Sequence, residues 1–417
     1  MVQKTVLDNG TVVLSEPVPG FSSCSLGLWV KTGSRYEGAG QAGLSHFMEH
    51  MLFKGTARRS AAEIAQAMDG VGAQTNAYTE KEHTCFYVRA VERHFGLAWD
   101  VLSDMFLHSV FDEAELEREK GVVLEEISMY EDSPEDVAFE LFHRTMWGEH
   151  PLGLPILGNR DAISSMGRSD FLRYQRELYT SERLVVAVAG AVKHEDLVAR
   201  VASWELPRAK KAPDLLAGGL PQAHSAKVLR YRDDEQVNLC LGVTSLSADD
   251  PRRYAMLVLD SVLGGSMSCR LFQEIREKRG LAYAVGTFLN SYRDCGSFGI
   301  YAGTSPDKAE QVVQLSRQVV DDLCQNGIAQ AELERSREYI KGNLALGLES
   351  TAARMMRMAK TECYHGRYID EAEFNERIDS VTCADVVALA QELLAPERFT
   401  LAAVGPLREL DGAVCPG

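Results

Sequence analysis

Ala114-Glu-Leu-Glu-Arg118 recurs as Ala331-Glu-Leu-Glu-Arg335, 217 positions further on (331 − 114). Leu184-Val-Val-Ala-Val-Ala-Gly190 is echoed by Phe399-Thr-Leu-Ala-Ala-Val-Gly405, 215 further on (405 − 190). Cys24-Ser-Leu-Gly-Leu-Trp29 is matched by Val237-Asn-Leu-Cys-Leu-Gly242, 213 further on (237 − 24). Chance can make one such match; three in the same order at nearly one offset indicate a duplicated domain. With 417 residues the chain is also too long for a single ordinary core. The expected fold is α+β: two homologous domains, each a mainly antiparallel sheet with helices packed on it. Residues 206–225 hold three prolines, two adjacent glycines and a basic cluster, so they read as the connection. The expected division is 1–210, a linker at 211–224, and 225–417.

The two copies differ in chemistry. The first contains Leu44-Ser-His-Phe-Met-Glu-His-Met-Leu-Phe53, an apolar run that reads as a helix behind Gly43. In a helix His50 lies about 40° round from His46 and Glu49 about 60° the other way, so all three share a face. Two imidazoles one turn apart can reach a single Zn2+, and a carboxylate beside them that is not a ligand can serve as general base. His-x-x-Glu-His is a zinc-peptidase order. Shifted by the repeat offset, this segment falls near Leu259–Leu263, which has no histidine. The duplication therefore kept the scaffold and left the metal groups in one copy only.

A zinc site needs a third protein ligand. The stretch Glu113–Tyr130 reads as a helix rich in carboxylates, among them Glu119, Glu125 and Glu126. Glu119 and Glu126 share a face to within about 20°. One can bind the metal while the other orients a ligand. Spacing alone does not choose Glu126 over Glu125.

The sequence resembles the pitrilysin-type inverzincin peptidases, most closely the two-domain branch with the mitochondrial processing peptidase and its bacterial relatives. The resemblance covers nearly the whole chain. It is carried by Gly43–Thr56, by Asn76-Ala-Tyr-Thr79, by Glu117–Ile127, by Pro151–Gly158 and by Leu271–Tyr283. It implies a metalloendopeptidase with His46, His50 and Glu126 as zinc ligands. Between His50 and Glu126 lie the 75 residues that the family pattern requires (126 − 50 − 1). It further implies Glu49 as general base and Glu119 as a supporting carboxylate. Asn76, Ala77 and Tyr78 would lie on an edge strand that takes up substrate as an added strand. Arg276 and Tyr283 would be donors to the substrate carbonyl, and Asp136 and Glu140 would receive a basic side chain near the cleavage point. Gly264-Gly-Ser-Met-Ser268 resembles the family's glycine-rich loop; it lacks the Gly-Lys-Ser/Thr of a phosphate loop.

Composition bounds the partners. A net charge of −16 argues against nucleic acid, which needs a basic footprint. No apolar run is long enough to span a bilayer, and nine scattered cysteines without a CxxC read as reduced thiols, so a cytoplasmic protein is expected. Because the zinc motif and the Arg276–Tyr283 pair stand in one chain, the resemblance implies a self-sufficient enzyme, as a homodimer enclosing a peptide chamber. The alternatives are a non-catalytic scaffold or peptide-binding subunit, against which the metal and base residues argue, and an active subunit needing a different partner chain.

Overall fold

In the computed structural model the described residues are 1–38, 40–209 and 219–410. Of the expected linker, residues 211–218 lie outside them.

The chain opens with strands β1 (Gln3–Val6) and β2 (Val12–Pro17), a hairpin turned through Gly10 at φ 90°. Strand β3 (Ser23–Val30) leads to helices α1 (Leu44–Leu52) and α2 (Ala61–Asp69). The α2 start is a capping box: Ser60 Oγ accepts from the Glu63 amide and the Glu63 carboxylate accepts from the Ser60 amide. Strands β4 (Gln74–Thr79) and β5 (Thr84–Val91) form a second hairpin. Helices α3 (Phe95–His108), α4 (Glu113–Asp132), α5 (Pro134–Trp147), α6 (Arg160–Ser165) and α7 (Arg168–Leu178) follow. Strand β6 (Leu184–Gly190) and helix α8 (His194–Ala202) close this half.

The second half runs β7 (Lys227–Tyr231), β8 (Val237–Ser245), α9 (Arg253–Leu263), and a π-helical turn at Phe272–Glu277. Then come β9 (Ala282–Ser291), β10 (Gly296–Thr304), α10 (Ala309–Asn326) and α11 (Gln330–Gly347). Helices α12 (Thr351–His365), α13 (Glu371–Ser380) and α14 (Cys383–Leu393) precede the last strand, β11 (Thr400–Gly405).

The sheets carry the duplication. Their strand orders are β1-β2-β6-β3-β5-β4 and β7-β11-β8-β10-β9. Apart from the extra edge strand β1, the second order repeats the first. In each, one parallel pair (β2–β6, β7–β11) sits in an otherwise antiparallel sheet. The echoed runs are the central strands, β3 with β8 and β6 with β11. β6, and β11 after Thr400, are continuous apolar runs because both faces are covered, whereas β3 and β8 bury Ser25 and Asn238 within theirs. In β6, Leu184, Val186 and Val188 enter one core while Val185, Ala187 and Ala189 enter another. In β11, Leu401 and Ala403 face one core, Ala402 and Val404 the other.

By backbone contacts the chain forms two compact units, and neither is a contiguous segment. The first comprises the described parts of Met1–Ile127, Pro155–Ala217 and Gly347–Ile369. The second comprises those of Ser128–Leu154, Gly218–Leu346 and Asp370–Gly417. Where the sequence led to segments 1–210 and 225–417, each unit instead takes a helix from the other half. Helix α12 covers the second face of the first sheet through Met355, Met358 and Ala359. Helix α5 covers the second face of the other sheet through Val137, Ala138, Phe142 and Met146. The two helices correspond under the duplication (351 − 134 = 217). So do their caps: Ser133 Oγ accepts from the Asp136 amide and Ser350 Oγ from the Ala353 amide, each at 3.3 Å. Among the described residues no helix is long and apolar enough to cross a membrane, and the eight described cysteines are free thiols, six of them buried.

Candidate metal centre

Helix α1 is fixed at its N-terminus from outside. The Glu37 carboxylate accepts from the Gly43 amide at 2.9 Å and the Ser45 amide at 2.7 Å, where the helix leaves its first amides unpaired. Gly43 stands at φ 91°, and a Cβ there would lie 2.4 Å from the Leu157 carbonyl oxygen. Leu157 and Gly158 thus abut the start of the histidine helix, and only glycine fits.

Burial pushes the Glu37 pKa up to about 7, against the hydrogen bonds that lower it. The folded protein then keeps a proton that the unfolded chain has released between about pH 4.5 and 7. Stability from this group is complete below about pH 4.5 and is lost as pH rises through about 7. Glu37→Gln, which has no charge to bury, is expected to flatten the fall in denaturation midpoint between pH 5 and 8. Parallel midpoint curves for the two proteins would contradict this.

Three ligand atoms converge above α1. His46 Nε2 and His50 Nε2 are 3.2 Å apart, and each is 3.5 Å from Glu126 Oε2 on α4. Bonds of about 2.0–2.1 Å to a common tetrahedral centre require ligand–ligand edges of about 3.3–3.4 Å. The three edges straddle that value, so the donor set fits a zinc ion. Glu125 is exposed, and Glu126 is the carboxylate of the two that meets the imidazoles.

The groups around these atoms are ordered. Glu119, buried on α4, accepts from His50 Nδ1 at 2.9 Å and is paired through its other oxygen with Lys54 Nζ at 2.6 Å. A proton kept on Nδ1 leaves the Nε2 lone pair for a metal. Burial works against charging His50, but Glu119 and Glu126 outweigh it and raise its pKa to about 9. Burial and the charge on His50 press that of His46 down to about 4. The hydrogen bond with His50 lowers the Glu126 pKa. Burial opposes ionisation of Glu119, but its bonds from His50 and Lys54 prevail and lower its pKa. Glu49 is different: burial raises its pKa, against a hydrogen bond from Thr79. Thr79 Oγ1 lies 2.6 Å from Glu49 Oε2.

Strand β4 ends the first sheet, so its outer edge pairs with no strand among the described residues. Its alternation sorts the residues expected to hold substrate. Ala77 packs into the core that includes α1. Tyr78 points to the opposite face, where its hydroxyl accepts from Trp29 Nε1 at 3.2 Å and lies 3.6 Å from Met356 Sδ. Any part Tyr78 plays toward a peptide strand is therefore through its backbone. Asn76 is exposed, and its Oδ1 accepts from the Ala77 amide.

The remaining expected residues belong to the second unit. The Arg276 guanidinium sits 4.8 Å from the ring centroids of both Phe272 and Tyr283, a cation–π arrangement. Tyr283 is 80% exposed, and the pair lines a cavity of ≈ 380 Å³ with Gln236 and Lys308. Asp136 and Glu140 are exposed on α5. The structure thus brings together His46, Glu49, His50, Glu119 and Glu126 in one unit, and Arg276 with Tyr283 in the other. Sequence reasoning passed over Glu37, Lys54 and Thr79. Period-2 alternation from Ala77 could have found Thr79; Glu37 and Lys54 leave no local signal.

The insulinase (peptidase family M16) model matches residues 12–160, which hold every candidate metal ligand. The peptidase M16 inactive domain model matches 165–340. A Bacillus subtilis protein described as a zinc protease is 40% identical over 97% of this chain and 98% of its own length. One from Streptomyces coelicolor, similarly described, is 40% identical over 98% of this chain and 90% of its own. Two solved structures share the fold at 21% identity. A protease from Helicobacter pylori has a TM-score of 0.91 over 97% of this chain and 99% of its own. A peptidase M16 inactive domain from Pseudomonas fluorescens has 0.89 over 97% and 98%.

Proposed function

Because the chain belongs to peptidase family M16, we propose that it is a zinc-dependent endopeptidase acting on short or unfolded peptides bound as an added β-strand. The observation that carries this reading is the spacing of His46 Nε2, His50 Nε2 and Glu126 Oε2, which fits a tetrahedral zinc ion with a position left open. When bound, zinc supplies Lewis acidity for the peptide carbonyl and for water. The chain's own residues do the rest. Glu49, not among the three ligands, accepts the proton of the attacking water and delivers it to the leaving amine. Glu119 holds His50 in the tautomer whose Nε2 is free. The outer edge of β4 pairs with substrate backbone, which tolerates varied side chains. Arg276 and Tyr283 donate to the substrate carbonyl as negative charge develops. Asp136 and Glu140, one turn apart and exposed, favour a basic residue near the cleavage point. The one chain carries all of these groups, so a homodimer in the cytoplasm needs no second kind of subunit.

The test is hydrolysis of a peptide library by the purified chain alone. Activity is expected to disappear with a zinc chelator, to return with zinc, and to favour peptides with arginine near the scissile bond. No hydrolysis by the zinc-loaded chain would instead favour a scaffold or a missing partner.

A further inference from the structure

We propose that Thr79 is a positioning residue, holding the Glu49 carboxylate and tying it to the strand edge on which a peptide is laid. This rests on Glu49 acting as general base. Among the described residues, the only hydrogen bond to the Glu49 carboxylate is the one from Thr79 Oγ1, at 2.6 Å. That length is typical of a hydroxyl donating to an ionised carboxylate. It occupies Oε2 and leaves Oε1 free for the attacking water. Thr79 is the last residue of β4, so base and substrate edge are joined by one side chain.

The join is fixed from both ends by one short segment, Gly33 to Glu37. Beyond Thr79, the chain turns at Glu80–His83, with the Glu80 amide donating to the His83 carbonyl at 2.8 Å. The segment grips this turn. The Ser34 amide donates to the Glu80 carbonyl at 3.3 Å, and the Arg35 amide to the Lys81 carbonyl at 2.8 Å. Arg35 Nη1 also meets Glu82 Oε1 at 2.8 Å, with the two side chains 0% and 2% exposed. Removing either partner of such a buried pair would leave an uncompensated charge, so the two side chains are kept together. Two residues after Arg35, Glu37 holds the start of the helix that carries Glu49. Strand and helix are thus registered by the same five residues, and the Thr79–Glu49 bond spans the gap between them. A hydroxyl merely satisfying itself on an edge strand would need no such support, since water is available there.

The test compares wild type, Thr79→Val, which keeps the shape and removes the donor, and Thr79→Ser, which restores it. A misdirected catalytic group typically costs about 10- to 100-fold. Thr79→Val is expected to lower kcat by about that factor while KM stays within about threefold, and Thr79→Ser to recover most of the loss. Zinc content per chain, and the affinity of chelator-stripped protein for a fluorescent peptide, are expected to be unchanged in Thr79→Val. The proposal is overturned if Thr79→Val keeps kcat within about twofold, if its loss follows lost zinc or lost peptide binding, or if Thr79→Ser is as poor as Thr79→Val. Glu49→Gln, assayed alongside, separates the two levels. An inactive Glu49→Gln with a fully active Thr79→Val overturns Thr79 alone, whereas an active Glu49→Gln removes the base itself.

Discussion

Glu49→Gln protein is expected to match wild type in zinc content per chain and to lose about 10²- to 10⁴-fold in peptide hydrolysis, the range for losing a general base. The substitution is nearly isosteric. Glutamine's carbonyl oxygen can still accept from Thr79, so the side chain should stay in place; what it cannot do is take a proton from water. The three candidate ligand atoms belong to His46, His50 and Glu126, and none is altered. Activity and metal content are therefore expected to separate cleanly. Metal analysis by atomic emission, with kcat/KM on one fluorogenic peptide, checks both. Cleavage at the wild-type rate would remove Glu49 from the mechanism. Loss of zinc together with activity would place Glu49 in the metal shell, and the three-atom geometry would then be wrong.

The distance between what the sequence disclosed and what it did not follows from how local each signal is. The central strands were legible because a strand buried on both faces reads as a near-continuous apolar run, as β6 does throughout and β11 does after Thr400. The repeat offset then paired the two sheets. The histidine helix was legible because its chemistry depends on neighbours three and four residues apart. The exchanged helices were not. Helix α5 needs only an apolar stripe, and Val137, Ala138, Phe142 and Met146 would suit either sheet; the choice is made by the chain path, which no periodicity records. Glu126 sits in a helix crowded with carboxylates where helical spacing cannot single it out; the resemblance does, and the fold turns it toward the imidazoles while Glu125 turns to solvent. Glu37 and Lys54 act on the site through contacts that follow no helical or strand repeat. The Arg276–Tyr283 pair is proposed on the resemblance alone, since an arginine in a charged helix and an exposed tyrosine carry no signal by themselves.

Three glutamates on one helix allow the metal shell itself to be graded. Glu126→Ala removes a candidate ligand and is expected to weaken zinc binding by more than about 100-fold. Glu119→Gln leaves the three atoms in place and disturbs only the support of His50, an effect of about 10- to 100-fold. Glu125→Ala changes an exposed side chain and is expected to bind zinc as wild type does. The order follows from what each oxygen meets: Glu126 Oε2 lies 3.5 Å from both Nε2 atoms, while Glu119 Oε1 lies 2.9 Å from Nδ1, on the far side of the His50 ring. Competition against a chromophoric chelator measures all three at one pH. The pH dependence has a definite sign. Without metal, His50 holds its proton up to about pH 9, so below that a zinc ion must displace a proton to bind. Apparent zinc affinity is therefore expected to rise about tenfold per unit between pH 7 and 9. Glu119→Gln removes one of the two carboxylates that keep His50 charged, so it should flatten this rise as well as lower the affinity, whereas Glu125→Ala should do neither. If Glu125→Ala rather than Glu126→Ala released the metal, α4 would have to be rotated by about 100° from the position in which its buried residues Leu116, Val123 and Ile127 now pack. Equal weakening by Glu119→Gln and Glu126→Ala would instead make both carboxylates direct ligands.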